Sequence, residues 1–257
     1  PQTRWLSDCS SDVCSSDLNK VPLPFKRSTA KGILLALLTL ATMSGLGLVM
    51  ISGQTGLVIL AVGGLCFLVG ILYTFGPAPI SRMPLGELFS GVFMGFFIPF
   101  LVVLINAPMD RLVFYAYETG VLSLGFRLPD LIRLAVLTVT PVCGIANIML
   151  ANNICDVEHD VRVNRFTLPY YIGSKNAVWL FGALYAAAYL SVALLVVFRT
   201  VPVYGLITLV TLPLVLKNVR RFAKNPSKRE TFPLSVANLV LTMVPLILIL
   251  AIGALTK

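Results

Sequence analysis

The polar residues of this chain are confined to short intervals between long apolar runs. From Gly32 to Ser81 there is no Asp, Glu, Lys, Arg or His, which leaves room for two membrane helices of about 20 residues each. Windows of about 19 residues predict spans at 33–51, 56–75, 88–106, 131–152, 177–197, 201–217 and 233–254. Gly53-Gln54-Thr55 separates the first two, and Pro77, Pro79 and Pro84 break the chain before the third, as turn-forming residues do. Segment 110–127, with Leu112, Val113, Phe114, Tyr115 and Tyr117, is too interrupted by charge to span. It reads as an interfacial helix or loop. The expected fold class is all-α: a polytopic membrane bundle of about seven transmembrane helices.

Composition agrees with that pattern. Hydrophobic residues make up 57% of the chain and charged residues 12%, against roughly 25% charged in a soluble domain. A soluble chain of this length needs a polar skin, and the deficit excludes one. The five cysteines do not form a disulfide framework: Cys66 and Cys143 lie in apolar runs, Cys155 lies beside acids, and no C-x-x-C pair occurs. They read as small buried hydrophobes. No secretory signal is visible. The N-terminus stands apart, because Ser7-Asp8-Cys9-Ser10-Ser11-Asp12 is nearly repeated as Asp12-Val13-Cys14-Ser15-Ser16-Asp17. Residues 1–18 are expected to be a non-native or artefactual polar segment, set off from a transmembrane domain at 19–257.

Loop charge alternates along the chain. One set of loops holds Lys20, Lys26, Arg27 and Lys31, then Arg82, then Arg162, Arg165 and Lys175, and finally the 217–229 loop with Lys217, Arg220, Arg221, Lys224, Lys228 and Arg229. The other set holds only Arg111, Arg127, Arg133, Arg199 and Lys257. The positive-inside rule places the first set in the cytoplasm, so the net charge of +9 reflects topology. No basic groove with interleaved aromatics is apparent, and nucleic acid is not an expected partner. The expected surroundings are a lipid bilayer, in the cell membrane.

The fourth span runs into Asn152-Asn153-Ile154-Cys155-Asp156-Val157-Glu158-His159-Asp160. Residues four apart share a helix face, so Asn152, Asp156 and Asp160 form one stripe with Asn153 beside it. Two carboxylates at that spacing repel unless a cation sits between them and a further anion. Mg²⁺ suits such a place, since it takes oxygen ligands and is usually held by one or two carboxylates plus substrate phosphates. A hydrated helix end with salt bridges to Arg162 and Arg165 is the plainer reading. The position at the mouth of an apolar bundle, where ionisable groups tend to be functional, favours a diphosphate site. Glu158 and His159 point off the stripe.

Asn152-Asn153-x-x-Asp156-x-Glu158-x-Asp160, followed by Arg165-x-Thr167-Leu168-Pro169-x-x-Ile172-Gly173, resembles the second Asp-rich motif of UbiA-type prenyltransferases. The Asn-Asn opening and Arg-x-Thr-Leu ending are most similar to the 1,4-dihydroxy-2-naphthoate prenyltransferases of menaquinone biosynthesis. Tyr73-Thr74-x-Gly76-Pro77-x-Pro79, then Arg82 and Leu85-Gly86-Glu87, resembles a second loop of those enzymes. The resemblance covers about residues 20–257 and implies the last seven helices of that family's nine-helix bundle. It also implies an earlier Asp-rich motif, which does not precede Lys31; Asp8 and Asp12 have loosely similar spacing in the wrong setting. The expectation is a chain lacking its first two helices and one metal-binding wall, with turnover by the chain itself the test of whether that wall is dispensable.

The resemblance further implies a Mg²⁺-dependent transfer of a polyprenyl group from prenyl diphosphate to an aromatic acceptor. For the menaquinone branch that acceptor is dihydroxynaphthoate, which loses CO₂ to give demethylmenaquinone. Asp156 and Asp160 would hold the metal, and Asn152 or Asn153 would orient the cluster. Arg82, Arg162, Arg165 and Lys175 are candidate diphosphate ligands, each with the alternative of a topology-setting loop charge. Tyr73 would contact the diphosphate or steady an allylic cation, or else serve as an interfacial belt residue. Phe93, Met94, Phe96, Phe97 and Phe100 line a prenyl tunnel or simply pack. Asn147 is expected to bond a neighbouring helix. Rival functions are a transporter, a non-catalytic membrane protein, and a UbiA-type enzyme with another aromatic acceptor. A CDP-alcohol phosphotransferase is disfavoured because its acidic-Gly and Ala-Arg signature is missing.

Overall fold

The computed structural model describes residues 26–52, 56–77, 79–107 and 112–255. The N-terminal repeat with Asp8, Asp12 and Asp17, together with Lys20, Arg111 and Lys257, lies outside the described residues. Two compact units divide at Ile51 and Ser52. The first contains the helix Arg27–Ile51, in which Thr39 and Thr42 turn their hydroxyls back onto the carbonyls of Leu35 and Leu38. In an apolar solvent this internal satisfaction is what a hydroxyl requires.

Among the described residues, seven helices are long and apolar enough to cross a membrane: Ser28–Ile51, Gly56–Thr74, Gly86–Asn106, Leu128–Arg162, Ser174–Val197, Val203–Lys224 and Pro233–Leu255. They correspond one for one to the expected spans, and the protein is a multi-pass membrane protein. The fourth runs ten residues past its expected end, so the whole acidic motif is helical. The sixth starts as a 3₁₀ stretch, Val203–Thr211, before the α-helix Leu212–Lys224.

Segment 110–127 departs from expectation. Instead of an interfacial helix or loop, Val113–Glu118 (β1) pairs antiparallel with Val121–Phe126 (β2). Val113 sits opposite Phe126 and Glu118 opposite Val121. The two-residue turn, Thr119 and Gly120, has positive φ at both positions (50° and 83°). That geometry matches the right-handed twist of paired strands. β-Branched and aromatic residues on either side supply the strand preference.

Within the second unit the third span is closely fitted to the fourth. An added Cβ at Gly95 would lie 2.5 Å from Val142 Cα and N, and one at Gly91 would lie 2.9 Å from the Val142 carbonyl oxygen. Only glycine lets these backbones approach so far, the usual means of packing helices where lipid offers no hydrophobic drive. The third span is also uneven: Gly86–Val92 is α-helical, Phe93–Phe97 a π-turn, and Ile98–Asn106 α-helical again. Pro99 follows the π-turn, and its ring and missing N–H disrupt the bond to residue 95 that an α-helix would require. In the expected Phe row Phe96 stacks on Phe100 at 5.8 Å and Phe93 lies tilted against Phe97 at 4.9 Å, and Phe89 extends the row by stacking on Phe93 at 5.6 Å.

The core lies between the fourth, fifth and sixth spans, where Leu150, Ala151, Ile154, Phe181, Tyr185, Val215 and Phe222 are buried together. Asn147, wholly buried, donates its side-chain N–H to the Phe181 carbonyl at 3.1 Å. This is the helix-to-helix bond expected of it.

Candidate active site

Three loops of the basic set converge at one end of the second unit: the turn before the third span, the end of the fourth span, and the turn before the seventh. Their contacts are direct. The Phe166 N–H donates to the Arg82 carbonyl at 3.1 Å, Arg165 Nη2 donates to the Ser81 carbonyl at 3.2 Å, and Lys228 Nζ meets Asp156 Oδ2 at 2.5 Å. Loops that alternate charge parity in sequence thus meet on one side in space.

The first loop is shaped by its own residues. Gly76 takes φ of 127°, a conformation open to glycine, and Pro77 then turns the chain toward the single 3₁₀ turn Ile80–Arg82. Gly86 opens the third span against the Tyr73 hydroxyl, which a Cβ there would approach to 3.5 Å. That hydroxyl is buried without a hydrogen-bond partner.

The helical acidic motif divides its polar side chains by face. Glu158 and His159 are exposed, as their offset from the stripe predicts, whereas Asn153 and Asp160 are buried to 1% exposure each. Asn152 and Asp156 lie half-buried between them. Asn153 donates to Glu87 Oε1 at 2.8 Å, a buried bond between the third and fourth spans. Asn152 in turn donates to Asn153 Oδ1 at 3.4 Å, while its own carbonyl oxygen accepts from Lys228. The result is a continuous polar run from Glu87 through both asparagines to Lys228 and Asp156.

Asp160 is served differently. Arg165 Nη1 stands 3.1 Å from Asp160 Oδ1, an ion pair that lacks the alignment of a hydrogen bond, so both carboxylate oxygens remain without a donor. The Arg165 N–H also returns to the Asp160 carbonyl at 2.8 Å. Asn164, with φ of 55°, makes the reversal that permits this. Arg165 therefore ties Asp160 to the Ser81 backbone. The rest of the motif builds a turn: Thr167 precedes the one-turn helix Leu168–Ile172, and Gly173, at φ 79°, leads into the fifth span. Arg82, Arg162 and Lys175 are exposed.

Two participants went unassigned in the sequence. Glu87 stands in the Leu85-Gly86-Glu87 motif, yet its role depends on a partner 66 residues away. Lys228 was one cation among six in a loop whose charge has a sufficient explanation in topology.

Among the described residues no group of three or more His, Cys, Asp or Glu could hold a metal by itself. Asp156 and Asp160 supply two carboxylates on one face, with the oxygens of Asp160 buried and lacking donors. This fits a Mg²⁺ held weakly by the two acids and more tightly when phosphate oxygens complete its shell, which is how Mg²⁺ is commonly bound.

Residues 19–254 match the UbiA prenyltransferase family. This chain belongs to that family. Among curated relatives, the 1,4-dihydroxy-2-naphthoate octaprenyltransferase of Bacillus subtilis (strain 168) is 32% identical over 157 residues, covering 61% of this chain and 44% of the relative. The chain thus spans less than half the length of that UbiA relative. No solved structure matches it at significance.

Proposed function

We propose that the chain acts as an integral-membrane, Mg²⁺-dependent prenyltransferase, moving a polyprenyl group from prenyl diphosphate to an aromatic acceptor. Dihydroxynaphthoate is the proposed acceptor and demethylmenaquinone, formed as its quinol, the proposed product, supported by the asparagine-led acidic motif and the named relative. The observation that carries the reading is Asp156 and Asp160 one helical turn apart at the end of the fourth span, with the Asp160 carboxylate ion-paired to Arg165 and its oxygens without a hydrogen-bond donor. The proposed setting is the cell membrane, with these loops facing the cytoplasm, on the positive-inside argument.

In this reading Asp156 and Asp160 hold the metal, and Asn152 and Asn153 fix the orientation of the acidic face. Bound Mg²⁺ would supply positive charge to the departing diphosphate. Arg82, Arg162 and Lys175 are the proposed diphosphate ligands, Arg by a bidentate fork and Lys as a point charge. Arg165 is a further candidate diphosphate ligand that also holds Asp160, and Tyr73 is proposed to contact the diphosphate or to steady the allylic cation. The allylic C–O bond breaks with its electron pair leaving on diphosphate, a carbon of the electron-rich ring forms the new bond, and the ring regains its aromaticity by losing the carboxylate as CO₂, the electron pair of that C–C bond returning to the ring. Apolar walls such as the Phe89–Phe93–Phe97 row keep water from the allylic cation.

The test is transfer from a labelled prenyl diphosphate in lipid nanodiscs, with Mg²⁺ or EDTA, to a panel of acceptors. Mg²⁺-dependent product on dihydroxynaphthoate supports the full proposal. Product on 4-hydroxybenzoate or homogentisate alone moves the protein to another branch of the family. Failure to bind the prenyl diphosphate with Mg²⁺ present removes the site assignment.

A further inference from the structure

A lysine in a basic cytoplasmic-type loop is ordinarily solvated, and its charge needs no partner. Lys228 differs from its neighbours in three respects. Its ammonium meets both Asp156 Oδ2 and Asn152 Oδ1, across 72 and 76 residues of chain. It lies 5.2 Å from the centroid of the Phe232 ring, within the range at which an aromatic face attracts a cation. The loop that carries it is also tightly built. Thr231, 2% exposed, donates its hydroxyl to the Asn225 carbonyl and accepts the Ser227 N–H, both at 2.8 Å, and the Phe232 N–H closes onto the Ser227 carbonyl at 2.9 Å. Lys228 is thereby presented to the acidic face by a fixed turn.

The ammonium occupies the solvent side of Asp156, the half-buried acid of the pair, and its own side chain is 44% exposed. An ammonium and a divalent cation compete for one carboxylate oxygen. They cooperate once a diphosphate is present, because both are then attracted to it. The flexible four-carbon stem lets a lysine change partner without moving its backbone.

We propose that Lys228 is the resident counter-ion of this site: in the substrate-free protein it holds the face of Asp156 and Asn152 that a divalent cation takes, and it turns to the diphosphate when that ligand binds. The inference rests on the proposed reading of Asp156 as a metal-holding acid. One consequence is distinctive. Removing the charge strengthens metal binding in the absence of diphosphate and weakens diphosphate binding in the presence of metal. The free site thereby favours metal arriving with diphosphate over metal arriving alone.

The experiment uses the full chain in nanodiscs, with Mn²⁺ as the probe, free Mn²⁺ read by electron paramagnetic resonance, and inorganic diphosphate titrated calorimetrically. Lys228→Gln should bind Mn²⁺ alone about fivefold more tightly, the scale of a partly exposed ion pair, and should bind diphosphate to the Mn²⁺-loaded chain about tenfold more weakly. Lys228→Arg, which keeps the charge, should stay within about threefold of wild type in both measurements. Arg229→Gln, which removes a neighbouring loop charge, should also stay within about threefold. Asp156→Asn should lose Mn²⁺ binding. If Asp156→Asn loses Mn²⁺ but Lys228→Gln does not tighten it, or Arg229→Gln reproduces the Lys228→Gln effect, the counter-ion role is overturned and the metal reading stands. If Asp156→Asn binds Mn²⁺ as wild type does, the metal reading itself falls.

Discussion

The bond between Asn153 and Glu87 offers a quantitative test of how the site is held. Both side chains are buried, at 1% and 5% exposure, and the donor–acceptor distance is 2.8 Å. Truncating Glu87 to Ala leaves an amide donor in a dry setting, which costs about 1–3 kcal/mol. Between membrane helices such bonds average about 0.6 kcal/mol and reach about 1.7. The short distance, complete burial and carboxyl acceptor place this one near the upper end, so a coupling of about 1–2 kcal/mol is expected. The assay is a double-mutant cycle of Glu87→Ala, Asn153→Ala and the pair, with unfolding in mixed micelles followed by circular dichroism. Each single variant should lose about 1–3 kcal/mol, and the double variant should lose less than their sum by the coupling. Glu87→Gln, which keeps an acceptor oxygen, should lose least. Additive single effects, with coupling below about 0.3 kcal/mol, would refute the claim that this bond ties the third span to the acidic helix.

Other parts of the structure make separate predictions. Asp156→Asn and Asp160→Asn should each reduce prenyl transfer at least about 10²-fold in a transfer-competent form of the protein, with only partial recovery at high Mg²⁺, as loss of charge at the departing diphosphate implies. Arg165→Gln should free the 163–173 turn, seen as faster proteolysis there, and Arg165→Lys should be intermediate because one ammonium cannot reach both Asp160 and the Ser81 carbonyl as a fork does. Gly95→Ala should destabilise by about 1–3 kcal/mol in the same unfolding assay, since the new methyl meets backbone that cannot swing aside. Thr119→Asn should stabilise the hairpin by a few tenths of a kcal/mol, because asparagine tolerates positive φ better than a β-branched residue.

The seven spans could be read from sequence because the bilayer imposes a length and a polarity that few other environments do. The same scan misread 110–127, since it registers charge per window and is insensitive to a period of two. The β-branched and aromatic run Val113–Tyr117, the Thr119-Gly120 turn and the alternation Leu122-Ser123-Leu124-Gly125-Phe126 carried the hairpin signal. The helix face of Asn152, Asp156 and Asp160 was legible for the opposite reason, being set by spacing within one element. What escaped notice were pairings across long separations. Nothing local distinguishes Lys228 from Arg229, and only the fold brings one of them to Asp156. Arg165 had two readings in the sequence, a diphosphate ligand and a salt-bridge partner of the acidic helix end. The reversal at Asn164 brings it onto Asp160 and the Ser81 backbone, a contact that spacing alone did not show.

Central to the account is that these two acids grip a diphosphate through a divalent cation at the lip of an apolar bundle. Equilibrium binding of a labelled prenyl diphosphate to the chain in nanodiscs tests this most directly. The prediction is saturable binding with Mg²⁺ that EDTA abolishes and that the Asp156→Asn, Asp160→Asn double variant does not recover. Equal binding with EDTA, or undiminished Mg²⁺-dependent binding by the double variant, would contradict it.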